Sequence, residues 1–141
     1  MASSVWLVSV FSSLPREQFD AEQAKHRENL LDILQRTGIS VYWRDNNSGC
    51  KEACNRVPSD MVFGDKNPAW CADGECFDDI LLDGLPQRLK ALKGDAVIVL
   101  HQKGSHGPAY YKRYPKQYER FTPVCRTSEL QKCSREDIIN A

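Results

Sequence analysis

The 141-residue sequence lacks a net charge: nineteen Lys and Arg residues balance nineteen Asp and Glu. No overall field therefore draws the chain to nucleic acid or to an anionic bilayer, and any anion site has to be local. A long apolar run is absent as well. The one apolar stretch near the start, "VWLVSVF", is too short to cross a bilayer, and no basic segment precedes it as a secretory signal requires. No export device is visible. Repeats, low-complexity tracts and long linkers are also missing, so the chain reads as one unit of a size that buries a real core. Neither a phosphate-binding glycine loop, nor a nucleophile elbow, nor a paired-histidine zinc helix appears.

Cysteine, by contrast, is plentiful. The six cysteines fall into three near-neighbour pairs, Cys50/Cys54, Cys71/Cys76 and Cys125/Cys133, each in a polar, turn-rich segment where a small loop can be closed. That usage points to disulfides and an oxidising compartment. The alternatives are free thiols or a four-cysteine zinc site built from the first two pairs, although neither pair has the usual two-residue spacing and no histidine lies near them. Cysteines that imply export, in a chain without the means for it, are reconciled if the sequence is part of a longer protein.

Asp20 followed by Gln23 is a capping-box-like start, and "AEQAKHRENLLDILQRTG" places Leu30, Leu31 and Leu34 on one face of a helix that stops at Gly38. "ISVYW", residues 39–43, reads as a buried strand. Residues 44–74 read as a polar loop. In "FDDILLDGLPQRLKALKG", Ile80, Leu81, Leu85, Leu89 and Leu92 recur at helical spacing, with Pro86 positioned to kink or split the helix. "DAVIVL", residues 95–100, has the continuous apolar character of a strand covered on both faces. Helix, strand, helix, strand predicts an α/β fold with a mostly parallel sheet. Ser134 is placed to cap a last helix through "REDIINA". Two or three strands alone would leave sheet edges uncovered, which again suits a partial domain.

In parallel sheets, ligands bind where loops leave the carboxyl ends of the strands. "RDNNSGCK" follows the first strand and "HQKGSHGP" the second. In the first, Asn47 and Ser48 offer neutral donors and Lys51 a positive charge, a set that suits a phosphate ester. The plainer reading is a solvated turn whose asparagines supply left-handed backbone angles. In the second, glycines permit close approach of a ligand, and His106 is the candidate to bind a phosphate oxygen or a metal. His101, at the strand end, is expected to satisfy a backbone carbonyl, and His26 to be solvated. The run "YYKRYPKQYERF" is read as tyrosines covering the core edge with hydroxyls reaching water, because the neutral chain argues against a nucleic-acid platform.

"LLDILQRTGISVYWRDNNSGCKEACNRVP", "CADGECFDDILLDGL" and "VIVLHQKGSHGPAYYKRYPKQYERFTPVCRTSELQKCSREDIINA" resemble consecutive segments of the lipid A phosphoethanolamine transferases. These are membrane-anchored enzymes of the alkaline-phosphatase and sulfatase superfamily, some of which confer polymyxin resistance. The resemblance runs from about Phe11 to the last residue. It implies a single partial sulfatase-like catalytic domain over residues 1–141: a truncated, alkaline-phosphatase-like three-layer sandwich. It further implies a zinc enzyme at the periplasmic face of the inner membrane. There a threonine takes phosphoethanolamine from phosphatidylethanolamine and delivers it to lipid A, with zinc activating the nucleophile and stabilising phosphoryl charge. By the same resemblance, His106 corresponds to the histidine that contacts the phosphoryl group or a second zinc. Asn47, Ser48 and Lys51 correspond to positions that hold phosphoethanolamine, and the three cysteine pairs to family disulfides.

The sequence departs from the family at its start. Counting back from Phe11 places Ser3 at the nucleophile position, but its neighbours differ, a proline is absent, and Ser9 stands where the family has cysteine. Residues 1–10 are therefore read as an atypical start and Ser3 as no nucleophile. The family's upstream acidic zinc ligand, transmembrane helices and "SDHGES" zinc segment have no counterpart in this sequence, so zinc would find at most one or two protein donors here. The expectation is an internal piece of the catalytic domain, inactive alone, that carries part of the substrate pocket and retains no zinc. The rival expectation is a non-catalytic remnant or small anion-binding module. A different superfamily member is the third, and the absence of a formylglycine-type cysteine motif speaks against a sulfatase.

Overall fold

The computed structural model describes residues 14–18, 20–64 and 68–139. Ser3, Ser9 and Phe11 lie outside the described residues. At the centre is strand β1 (Ser40–Asp45), flanked by β2 (Ser59–Met61) and β5 (Ala96–His101) in a parallel sheet of order β2-β1-β5. The β1/β5 register runs from Ser40 opposite Ala96 to Asp45 opposite His101. A small antiparallel hairpin, β3 (Cys71–Ala72) and β4 (Glu75–Cys76), stands apart from that sheet.

Alternation along β1 builds a layer on each face. Val41 and Trp43 join Leu31, Ala53, Cys54 and Val57 in one buried cluster, with Val99 packed against it. Tyr42 and Arg44 serve the other face. The Arg88 guanidinium lies 4.0 Å from the Tyr42 ring centre, and Arg44 donates to the carbonyl oxygens of Leu81 and Asp83. A second cluster on that side contains Val62, Cys76, Ile80 and Leu81, with Leu100 against it. The expected parallel α/β architecture, helical segments on both faces, is what the chain forms.

The expected first helix is two. Helix α1 (Ala21–His26) is capped by the Asp20 carboxylate, which accepts from the amides of Glu22 and Gln23. Helix α2 (Leu30–Arg36) restarts behind Asn29, whose side chain accepts from the Leu31 amide at 2.8 Å while Asp32 accepts from the Asn29 amide at 2.7 Å. This capping box divides a segment that reads as one helix, because Asn29 also donates to the Ala53 carbonyl, a long-range bond a straight helix would forfeit. The second predicted helix likewise divides. Residues Asp78–Leu82 form a 3₁₀ turn that buries Ile80 and Leu81, and α3 (Leu85–Ala91) begins after Gly84 at φ +67° with Pro86 in its first turn. Leu89 consequently stays exposed. Within residues 44–74, read as loop, the structure places β2 and most of the hairpin. Ser134 receives the Asp137 amide at 3.1 Å at the start of α4 (Arg135–Ile139).

All three local cysteine pairs are disulfides, Cys50–Cys54, Cys71–Cys76 and Cys125–Cys133, which removes the zinc and free-thiol alternatives. Closing loops this short is worth roughly 2–3 kcal/mol each.

Leu31 is 1% exposed and caps the Trp43 cluster, whereas its neighbour Leu30 is 45% exposed. In urea titrations Leu31→Ala should lower the unfolding free energy by about 2–5 kcal/mol and Leu30→Ala by less than about 1 kcal/mol. Equal losses would mean that α2 does not dock on the sheet through Leu31.

Candidate anion-binding site at the carboxyl end of the sheet

The turn after β1 is governed by one buried carboxylate. Asp45 is 0% exposed. Its Oδ1 accepts from the amides of Asn47 at 2.7 Å and Gly49 at 3.0 Å; its Oδ2 meets the Trp43 indole Nε1 at 3.0 Å and His101 Nδ1 at 2.7 Å. Burial alone would push the Asp45 carboxyl up, but hydrogen bonds from His101, Trp43, Gly49 and Asn47 together hold it below the ordinary carboxylate range. An ionised carboxylate only accepts, so the His101 proton on this side sits at Nδ1. His101 thus pairs with a side-chain carboxylate rather than a backbone carbonyl, correcting the sequence expectation. The signal for this was present in "RDNN": a charged residue at the end of an apolar strand needs partners.

Asn47, Ser48 and Lys51 come together in that turn. The Ser48 hydroxyl donates to the Asn47 carbonyl at 2.7 Å, and the Lys51 ammonium donates to the Ser48 carbonyl at 3.3 Å. Ser48 and Lys51 both have left-handed backbones, at φ +56° and +48°, so these residues carry the angles that sequence reading gave to the asparagines. Each such non-glycine residue costs roughly 1–2 kcal/mol, a cost offset here by the Asp45 bonds and the Cys50–Cys54 closure. Strained turns of this kind cluster at functional sites.

His106 lies in the loop that leaves the neighbouring strand β5. It is exposed, and its amide donates to the Lys103 carbonyl at 3.2 Å. The two loops emerge side by side, since the Asn46 amide donates to the His101 carbonyl at 2.9 Å. Sequence reading missed the residues that join them. The Asn46 side-chain amide donates to the Cys76 carbonyl at 3.0 Å and to Asp78 at 2.9 Å, and Asp78 also accepts from the amides of Lys103 and Gly104 at 2.8 and 2.7 Å. Glu75, on the hairpin, pairs with both Lys103 and Arg113. Burial would raise its carboxyl, but these two partners hold it low.

Elsewhere, a hollow of about 340 Å³ lined by Gln35, Ser40, Tyr42, Pro58, Arg88 and others lies along the amino half of β1, away from these loops. His26 is exposed, as expected. Tyr110 corrects the reading of the tyrosine run: its ring is buried and its hydroxyl accepts from the Cys125 amide at 3.1 Å instead of reaching water. Among the described residues no group of three or more His, Cys, Asp or Glu side chains is arranged to hold a metal ion, and all six cysteines are oxidised. The donor set of the described residues does not fit a zinc centre.

Because the folded-state carboxyl of Asp45 is held low, its stabilising contribution is fully present above the unfolded value, about pH 3.9, and is lost as pH falls through the folded value. Acid titration followed by Trp fluorescence should show a steep loss of stability below about pH 4. Asp45→Asn should flatten part of that limb while lowering stability at pH 7. An unchanged acid limb would contradict the four-bond arrangement.

Comparison with known proteins identifies the frame of this site. The sulfatase family matches residues 2–138. The phosphoethanolamine transferase EptA of Salmonella typhimurium is 52% identical over 99% of the chain, which spans 25% of that relative's length. The soluble domain of lipooligosaccharide phosphoethanolamine transferase A from Neisseria meningitidis superposes with a TM-score of 0.90 at 43% identity, over 99% of this chain and 42% of that one. The C-terminal periplasmic domain of EptC from Campylobacter jejuni gives a TM-score of 0.78 at 38% identity, again covering 42% of the longer chain. The chain spans about a quarter of the curated relatives it matches, and it belongs to the sulfatase family of the alkaline-phosphatase-like fold, aligning there with a contiguous part of the phosphoethanolamine transferases.

Proposed function

We propose that this chain is the part of a lipid A-modifying phosphoethanolamine transferase that holds the phosphoethanolamine group, with phosphatidylethanolamine as donor. Asn47, Ser48 and Lys51 supply donors and a positive charge from one loop, and His106 supplies an imidazole from the other. The observation that carries this reading is the side-by-side exit of both loops from adjacent parallel strands, tied through Asn46 and Asp78. The family resemblance and the relatives, which are phosphoethanolamine transferases, point the same way.

Turnover is assigned elsewhere. The superfamily's chemistry calls for a metal, zinc in this family, which would stabilise phosphoryl charge; the residues described here orient substrate and do not make that centre. On this reading the described residues contribute substrate binding, and transfer needs donors beyond them. The three disulfides suit the periplasmic face of the inner membrane. No described helix is long and apolar enough to cross a membrane.

Titration of the ¹⁵N-labelled chain with O-phosphoethanolamine tests the reading. Amide shifts should concentrate in residues 47–51 and 103–107 with a dissociation constant on the order of millimolar, and Lys51→Ala should weaken it. Inorganic sulfate bound equally well would favour a general anion module. No response in either loop would refute both.

A further inference from the structure

One short segment, residues 75–78, reaches both candidate loops. The Asp78 carboxylate takes three donors: Asn46 Nδ2 and the Lys103 amide on Oδ1, and the Gly104 amide on Oδ2. Asn46 belongs to the turn after β1 and is 0% exposed. Both partners of its amide nitrogen, the Cys76 carbonyl and Asp78, are pure acceptors, so the amide has a single workable orientation. The next residue, Asn47, starts the candidate donor set. Lys103 and Gly104 open the loop that carries His106. Two residues before Asp78, the Cys71–Cys76 disulfide closes the hairpin whose Glu75 grips Lys103 and Arg113.

We propose that Asp78 is a positioning residue of the phosphoethanolamine pocket, setting the spacing between the turn of Asn47, Ser48 and Lys51 and the turn of His106 without touching the substrate. The proposal rests on the reading of the preceding subsection. Its physical basis is donor counting. An ionised carboxylate has acceptor positions for all three N–H groups, and Oδ1 alone takes one from each loop. An alanine in its place removes both oxygens, so all three N–H groups lose their acceptor and the tie between the loops is cut. A ligand held from two sides loses affinity steeply when its two holders drift by a fraction of an ångström to an ångström. Asp45 and the Asn46 amide join the strand ends through His101, and Asp78 carries that spacing outward to Lys103 and Gly104.

The test compares the full 141-residue chain with Asp78→Ala, Asp78→Glu and Val41→Ala. Val41 is a core residue at the opposite end of β1, so its truncation lowers stability without reaching the loops. Asp78→Ala should weaken O-phosphoethanolamine about tenfold or more and lower the ¹⁵N order parameters of both residues 47–51 and residues 103–107 in the free chain. Val41→Ala, with an equal or larger fall in Tm, should leave the affinity within about twofold. Asp78→Glu keeps the charge and displaces the carboxylate by one methylene; it should fold, bind more weakly than the native chain, and serve where Asp78→Ala does not fold. Native affinity in a folded Asp78 variant, or loosening confined to residues 103 and 104, overturns the proposal. Failure of the native chain to respond at all overturns the phosphoethanolamine reading itself, and the proposal with it.

Discussion

A carboxylate withdrawn from water at the end of β1 is the constraint on which the rest of the site depends. Burying an unpaired carboxylate is far costlier than any single loop contact can compensate, so Asp45 dictates that donors be brought to it. Two come from side chains, the Trp43 indole and the His101 imidazole, and two from the backbone of the following turn. The His101 bond locks β1 to β5 at their carboxyl ends, while the Trp43 bond stays within β1. The backbone pair forces the chain to double back at once, which is why Ser48 and Lys51 accept left-handed backbones rather than an open loop. One group thereby fixes both the sheet edge and the turn shape.

Crosslinks hold only the neighbourhood of each turn. The three disulfides span four, five and eight residues, so they reduce the freedom of local loops but cannot determine where one loop sits relative to another. That task falls to buried polar contacts with large sequence separations: 56 residues between Asp45 and His101, 32 between Asn46 and Asp78, and 25 between Asp78 and Lys103. Such bonds form only once the sheet has assembled. The arrangement divides labour, with covalent closure making each piece stiff and hydrogen bonds placing the pieces.

Much of this was legible in the residues and some was not, for identifiable reasons. β1 announces itself because both faces are covered, leaving an apolar run; β5 has a similar run, but it stands at the sheet edge and is only half-buried, not covered on both faces as its sequence suggests; and the cysteine pairs are legible because neighbours in sequence can close small loops without any tertiary information. The exit loops followed from the parallel sheet. The split at Asn29 was not legible: residues 21–38 read as one helix from an aspartate cap to a glycine stop, and the reason to break it is a bond to Ala53, 24 residues away. β2 was lost because Ser59–Met61 is short, an edge strand, and without an apolar pattern. Asp78 was hidden in an ordinary-looking "FDD", since nothing local distinguishes a helix-start aspartate from one that receives amides from 25 residues downstream. Proximity-driven features can be read from one dimension; polar satisfaction in the fold cannot.

The contrast in burial between the holders and the held carries the final step. Asp45 and Asn46 are fully buried, while Ser48, Lys51 and His106 are exposed. A group that must meet a soluble or lipid-borne phosphate ester has to remain hydrated until the ligand arrives, and it then exchanges water for phosphate oxygen at modest cost. A group that must define geometry gains from the opposite environment, because a low dielectric strengthens its bonds and burial removes alternative partners. Sequence motifs single out the exposed set, the residues proposed to meet the ligand. Their placement is decided one layer beneath, by carboxylates and an amide nitrogen whose hydrogen bonds are already committed within the fold.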